Sequence, residues 1–296
     1  MKRYILILIS VIFLSVSGYT QSEKNSKLLL IRCDDIGMSH SVNLAAKELI
    51  DSGLKFSASV MFACNWYQEA VEILKSHPEI SVGIHLTLNS EWKNYKWGPV
   101  SGAGTVPSLV DSNGYFFPSR ESFFANNPSI DEVETELRAQ IERAIKSGIK
   151  IYYLDYHMGT AVETPEMRAI VEKLAKEYNL GVSRYFGEVD LKSMYSIPVD
   201  EKEGYLKTSL SGLDSSKVNL LVCHIGIDND ELSALIDENS FGLKEMSKHR
   251  ESELKALISF SKINSDEEYG LTLINYEELI NAIGLGNMKS PVQSGY

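Results

Sequence analysis

Cysteine is scarce in this chain of 296 residues: Cys33, Cys64 and Cys223, an odd number, each in or beside an apolar run. That count gives no disulfide framework, and the three read as small buried residues. Positive charge is in deficit, with 29 Lys and Arg against 40 Asp and Glu for a formal net charge of −11. Nucleic acid and anionic membrane surfaces, which both reward clustered cations, are thereby disfavoured as partners, and a neutral ligand fits better. Long apolar runs are missing too: the stretch from Tyr4 to Val16, about 13 residues, falls short of the roughly 20 that a spanning helix needs. With Lys2 and Arg3 before it and Ser17-Gly18 after it, residues 1–20 read instead as an export signal. The mature chain is expected in the periplasm or outside the cell, with no stable membrane insertion once the signal is removed. No cysteine near the expected cleavage point supports lipid attachment. Internal repeats, interior linkers and tight metal motifs of the HExxH kind are absent as well.

Hydrophobic residues make up 44% and charged residues 23%, enough apolar material for a full core. Beyond the leader, about 275 residues suit one large domain; it is placed at residues 28–283, with a flexible tail at 284–296. The stretch Leu28-Leu29-Leu30-Ile31-Arg32-Cys33-Asp34-Asp35-Ile36-Gly37 has the aliphatic density of a strand buried on both faces and ends in two carboxylates and a glycine. The pair reads as a metal ligand beside a general base, or else as an N-cap for the helix expected over residues 41–52. For both carboxylates to serve one site the extended chain must break there, and Gly37 permits the break. Further strands are expected at 56–63, 80–88, 150–157, 180–185, 218–226 and near the end of the domain. Helices are expected at 66–76 with Asn65 as cap, at 129–147, at 165–178, from about 243 to 261, and last before residue 283. This alternation is the signature of βαβ units and a parallel sheet. Residues 91–128 break the rhythm with Gly, Pro and six large aromatics, as an excursion that could shape a ligand cleft or simply tuck back onto the domain. Residues 187–217 show only weak periodicity.

Four of the apolar strands end in Asp34–Asp35, His85, Asp155/His157 and His224. In a parallel barrel such ends converge on one face. Asp35, His85 and His157 would then form a one-carboxylate, two-imidazole set that leaves open positions on a divalent metal, as catalytic zinc sites do. Asp34 could take a proton from a metal-bound water and His224 could return one to the leaving group. His40, His77 and His249 lack such partners and read as surface or packing residues.

The same segments, Asp34-Asp35-Ile36-Gly37, Val82-Gly83-Ile84-His85-Leu86-Thr87-Leu88, Leu154-Asp155-Tyr156-His157, Cys223-His224-Ile225-Gly226 and Arg250-Glu251-Ser252-Glu253-Leu254, occur in the order found in the YdjC-like carbohydrate deacetylases. The resemblance spans roughly residues 28–280. It implies an α/β fold, an irregular TIM-like (β/α) barrel with the active site at the carboxyl ends of its strands. It also implies metal-dependent removal of acetyl groups from N-acetylated sugars. Carried over by position, the metal ligands are Asp35, His85 and His157, holding one ion, zinc or magnesium; Asp34 is the base and His224 the acid. Arg184 reads either as a residue that orients a carboxylate such as Asp34 or as an ordinary surface or packing residue, and Asp155 is a candidate support. The family often has further histidines where this chain has Met158-Gly159-Thr160, and His-Pro-Gly where it has His224-Ile225-Gly226. Two rival activities are a metal-dependent hydrolase of another acylated glycan, such as an O-acetyl ester, and an exported glycan-binding protein without catalysis.

Overall fold

Leu29, Leu30 and Ile31 are fully buried, as a strand with no exposed face requires, and around their strand the whole sheet is arranged. The computed structural model describes residues 26–263 and 268–291; the expected leader and residues 292–296 lie outside them. β1 (Lys27–Ile36), β2 (Ser57–Val60), β3 (Ser81–Leu86), β4 (Tyr153–Tyr156), β5 (Gly181–Val182), β6 (Glu188–Asp190), β7 (Val218–Cys223) and β8 (Leu271–Ile274) form one sheet in the order β5-β4-β3-β2-β1-β7-β6, with β8 also on β1. Every pairing is parallel. β1 pairs with β8 over its first residues and with β2 over its last, while β7 runs beside Leu28 to Cys33. The sheet curls into a half-barrel inside a ring of helices, which is the α/β barrel-like architecture expected from the sequence.

Those helices are α1 (His40–Asp51), α2 (Tyr67–Lys75), α3 (Arg120–Ala125), α4 (Ile130–Lys146), α5 (Pro165–Tyr178), α6 (Lys202–Ser211), α7 (Asp230–Ser233), α8 (Met246–Ser261) and α9 (Tyr276–Ile283). Local chemistry accounts for the ends of several. In α5, Thr164 accepts the Met167 N–H, Pro165 opens the first turn, and Asn179 closes the helix at φ 56°, so its bounds coincide with the expectation. For α1 the cap is Ser39, whose side chain accepts the Val42 N–H. Asp34 and Asp35 are therefore free of capping duty.

Other expectations are corrected. Trp66, not Asn65, stands at the N-cap of α2, without a side-chain bond. The excursion at residues 91–128 is not structureless: it holds a 3₁₀ turn at Pro107–Leu109, a Val110–Phe116 bridge and α3, started by a reciprocal Ser119–Ser122 capping box. Residues 187–217 contain β6 and α6. The α6 buried face is Lys202, Leu206 and Leu210, and a lysine on that face erased the apolar period. Residues 284–291 fold back instead of forming a loose tail, with a 3₁₀ turn at Leu285–Asn287 and the Lys289 N–H bonded to Tyr185 O at 2.9 Å.

The cysteines are free and buried, and Cys33 and Cys223 are register neighbours on β1 and β7. Gly83 on β3 is required for a steric reason. A Cβ there would stand 2.4 Å from ring atoms of Tyr153, whose hydroxyl meets Ser59 Oγ at 2.8 Å and whose ring lies on Tyr276 at 4.0 Å. Gly83→Ala should therefore destabilise the fold by about 1–3 kcal/mol, the cost of overpacking a dense core; the midpoint of chemical unfolding checks it.

Candidate metal centre and active site

The break in β1 falls two residues earlier than the glycine. Asp35 itself adopts φ 64°, and the β1–β2 register slips between Cys33 and Ile36; Gly37 follows at φ 86°. A non-glycine residue held in the left-handed region stores on the order of 1–3 kcal/mol, and such strain collects at functional sites. Its effect here is that Asp34 and Asp35, neighbours on a strand, line one cavity.

Three atoms meet above the strand ends. Asp35 Oδ1 lies 3.4 Å from His85 Nε2 and 3.2 Å from His157 Nδ1, and those two nitrogens are 3.3 Å apart. Each imidazole has a carboxylate behind it: His85 Nδ1 is 3.0 Å from Asp155 Oδ1, and His157 Nε2 is 3.0 Å from Glu91 Oε2. A carboxylate accepts, so each outer nitrogen carries a proton, and in the neutral form of each ring the inner nitrogen turns a lone pair toward Asp35. Asp35 Oδ1 is buried and makes no well-directed hydrogen bond, whereas its Oδ2 accepts from Arg250 Nη2 at 2.6 Å. With both rings neutral, two nitrogens and one carboxylate oxygen converge with no donor between them, a set that fits a divalent cation.

The electrostatics of the cluster favour positive charge at its centre. Burial would lower the pKa of His85, but Asp155 and Asp34 outweigh it and push it up to about 10. Burial likewise opposes the charge on His157, and Glu91 and Asp35 raise it to about 9. Burial would raise Asp35, yet Arg250 and the two histidines hold it well below the usual carboxylate range.

Beside this centre, Arg32 clamps Asp34 with both arms, Nε to Oδ1 and Nη2 to Oδ2, each at 2.7 Å. The same guanidinium reaches Asp155 Oδ2 at 3.0 Å and Ser183 Oγ at 2.6 Å. Against the cost of burial, Arg32 and His85 hold the Asp34 carboxyl below its ordinary value. Of the two roles open to Arg184, the orienting one is not what the structure shows. Arg184 sits at φ 73° after β5 and spends its guanidinium on Asp190, while Arg32 orients Asp34. Asp155 does support the site, through His85.

His224 lines the cavity from the end of β7, with its backbone N–H bonded to Glu253 Oε2 at 2.8 Å and its ring edge-on to Tyr195 at 5.9 Å. Glu253 in turn pairs with Lys202 Nζ at 2.9 Å, and Lys202 is wholly buried. The cavity, about 200 Å³, is completed by Trp92, Tyr156, Tyr195, Asp237, Phe241 and Met246. A larger groove of about 440 Å³ between α5 and residues 285–290 contains none of this chemistry. Of the excursion's aromatics, Trp92 reaches the cavity and Trp97 stands edge-on to His157 at 6.3 Å, whereas Phe116 is buried and Tyr115 faces solvent.

Sequence reasoning missed Arg32, Glu91, Lys202 and Asp237, and gave Arg250 and Glu253 no role although both stand in a quoted motif. A charged residue inside an aliphatic strand, as Arg32 is, was the one available signal. Arg32→Met should cost about 3–5 kcal/mol of stability, because it leaves Asp34 and Asp155 buried without a counter-charge; chemical unfolding of the variant measures it.

A family model described as YdjC-like protein matches residues 28–261. A carbohydrate deacetylase of Thermoanaerobacter pseudethanolicus is 24% identical over 265 residues, spanning 88% of this chain and 96% of that relative. One of Brevibacillus brevis is 36% identical over 176 residues, covering 58% of this chain and 66% of the relative, just under two thirds of its length. A crystal structure from Enterococcus faecalis V583, of a protein named for cellobiose-phosphate cleavage, shares the fold with a TM-score of 0.69 at 24% identity, over 86% of this chain and 99% of that one. With the match running from the first residues of β1 to the end of α8, this chain belongs to the YdjC-like family.

Proposed function

We propose that this chain is a metal-dependent hydrolase that removes acetyl groups from N-acetylated sugars. The name shared by its curated relatives, carbohydrate deacetylase, supports the substrate class. The observation that carries the chemistry is the convergence of Asp35, His85 and His157, each histidine backed by a carboxylate, beside an Arg-clamped Asp34. Asp35, His85 and His157 hold the ion, which when bound acidifies a water and polarises the acyl oxygen.

The chain's own residues do the rest. Asp155 and Glu91 fix the imidazole orientations and raise their basicity as ligands. Arg250 holds the second oxygen of Asp35, so that Oδ1 alone faces the ligand cluster. Asp34 accepts the proton of the attacking water. Held below the ordinary carboxylate range, it is a weak base, matched to an acidic proton donor and not to bulk water. His224, across the cavity, returns a proton to the departing amine nitrogen, and the buried Lys202–Glu253 pair fixes the backbone from which it projects. The export signal read at residues 1–20 supports action on glycans outside the cytoplasm, and finding the mature chain only in the cytoplasmic fraction would refute that placement.

Acetate release from N-acetylglucosamine oligomers should vanish on chelation and return with one added divalent metal. No release with any metal, from protein shown by elemental analysis to have bound it, would overturn the N-deacetylase reading, and release from O-acetyl sugars instead would replace it. Asp34→Asn should retain the metal and lose about 10²–10⁴-fold in kcat, and unchanged turnover would remove Asp34 from the mechanism. Glu91→Gln should weaken metal binding about 10–100-fold, read by competition with a chelating dye.

A further inference from the structure

We propose that the loop at residues 234–245 is the surface that reads the sugar, with Phe241 as a stacking platform for the ring next to the reacting one and Asp237 as an acceptor for sugar hydroxyls. The proposal rests on the deacetylase reading and adds to it the residues that select the substrate.

Phe241 is 62% exposed, the most exposed large apolar side chain among the described residues, and Ile236 on the same loop follows at 55%. Phe241 is not stranded on a remote surface, because it lines the mouth of the catalytic cavity. An uncovered phenyl ring beside a polar pocket is apolar surface that a ligand can cover. The loop that carries it is also held in place. Asp237 bridges Trp92, the Lys93 N–H donates to Ile236 O at 2.8 Å, the Glu238 N–H donates to Glu91 O at 2.9 Å, and Asn239 Nδ2 donates to Pro118 O at 2.9 Å. Phe241 and Asp237 are thus tied to the same backbone as Glu91, the carboxylate behind His157.

Asp237 supplies the polar half. Its Oδ1 accepts the backbone and side-chain N–H groups of Asn239 at 2.8 and 3.0 Å, while nothing among the described residues donates to its Oδ2. Gly242 packs against this carboxylate so closely that a Cβ there would lie 2.5 Å from its Cγ. A pyranose presents hydroxyls around its rim and C–H groups on its faces, and an open carboxylate oxygen near an aromatic face answers both. Glu91 and Asp237 share one wall of the cavity, so an anionic ligand is repelled there and a neutral saccharide fits. Size points the same way. The cavity of about 200 Å³ lies below the roughly 300–1,000 Å³ of ligand pockets in general. It accommodates the acetamido group and its own ring, and a second ring must lie outside, over Phe241.

The test titrates the N-acetylglucosamine disaccharide and monosaccharide into metal-loaded Asp34→Asn protein, with and without Phe241→Ala or Asp237→Asn. The disaccharide should bind the parent more tightly than the monosaccharide does. Phe241→Ala should weaken the disaccharide about tenfold or more, from the lost contact area, and close the gap between the two sugars. Asp237→Asn should weaken both. Equal disaccharide affinity with and without Phe241 overturns the proposal, and so does the absence of saccharide binding. A melting curve confirms that each variant is folded, and the disaccharide-to-monosaccharide ratio of kcat/KM in the Phe241→Ala enzyme is a second readout. Binding that depends on Phe241 without acetate release by the unmutated chain would sink the deacetylase reading and leave this one standing; acetate release indifferent to Phe241 would do the reverse.

Discussion

Four buried carboxylates, Asp34, Asp35, Glu91 and Asp155, share one cluster with only two permanent cations, Arg32 and Arg250. Buried charge is tolerated only when paired, so the cluster is short of two positive charges. Two imidazolium protons or one divalent cation beside neutral imidazoles can meet that deficit. The raised pKa values of His85 and His157 and the inward-facing lone pairs of the neutral rings are two expressions of the same imbalance. The cluster is also structural. Arg32 joins the end of β1 to Asp155 on β4 and to Ser183 just after β5, so the charge arrangement that readies the site also ties the curled sheet together across its interior.

Backbone strain has a place in that arrangement. On a straight strand Asp34 and Asp35 would point to opposite faces, one into the site and one away from it. The left-handed turn at Asp35 brings both to the cavity, where Arg250 holds one oxygen of Asp35 and the other faces His85 and His157. A second left-handed pair, Met158 at φ 53° and Gly159 at φ 75°, directly follows His157. Two of the three strand ends that carry the candidate ligands therefore turn sharply just where their donor atoms are presented. Strain retained at both places is consistent with a site shaped for a bound ion more than for the ease of the chain.

The sheet was legible because its strands are aliphatic runs and its helices carry ordinary signals, as in α5 with Thr164, Pro165 and Asn179. The candidate ligands at the strand ends stood out for the same reason, since a polar residue is conspicuous against an apolar run. What stayed hidden was a set of charged residues away from the strand ends, most of them with partners distant in the chain. Arg250 meets Asp35 across 215 positions, and Glu91, Lys202 and Asp237 sit in stretches where a charge looks like ordinary solvated surface. Arg184 shows the converse: a strand-end arginine could have served Asp34, but Asp190 lies six residues away on β6, and the carboxylate nearer in sequence took it.

Lys202 and Glu253 extend the argument beyond the metal centre. A buried ion pair adds little stability over apolar residues of equal volume, so its presence points to the geometry it fixes. Glu253 grips the His224 N–H with one oxygen and Lys202 with the other, and Lys202 also donates to Tyr195 O at 3.2 Å. Four points on α6, α8, the end of β7 and the turn before α6 are thereby locked into one polar unit, and two of them, His224 and Tyr195, face the cavity. An apolar pair could fill the same volume, but it could not hold the backbone N–H of His224 and the carbonyl of Tyr195 in fixed relation. The pair thus extends to the His224 side of the cavity the control that Arg32 and Arg250 exert on its carboxylates: a buried cation sets the position of a group that lines the cavity.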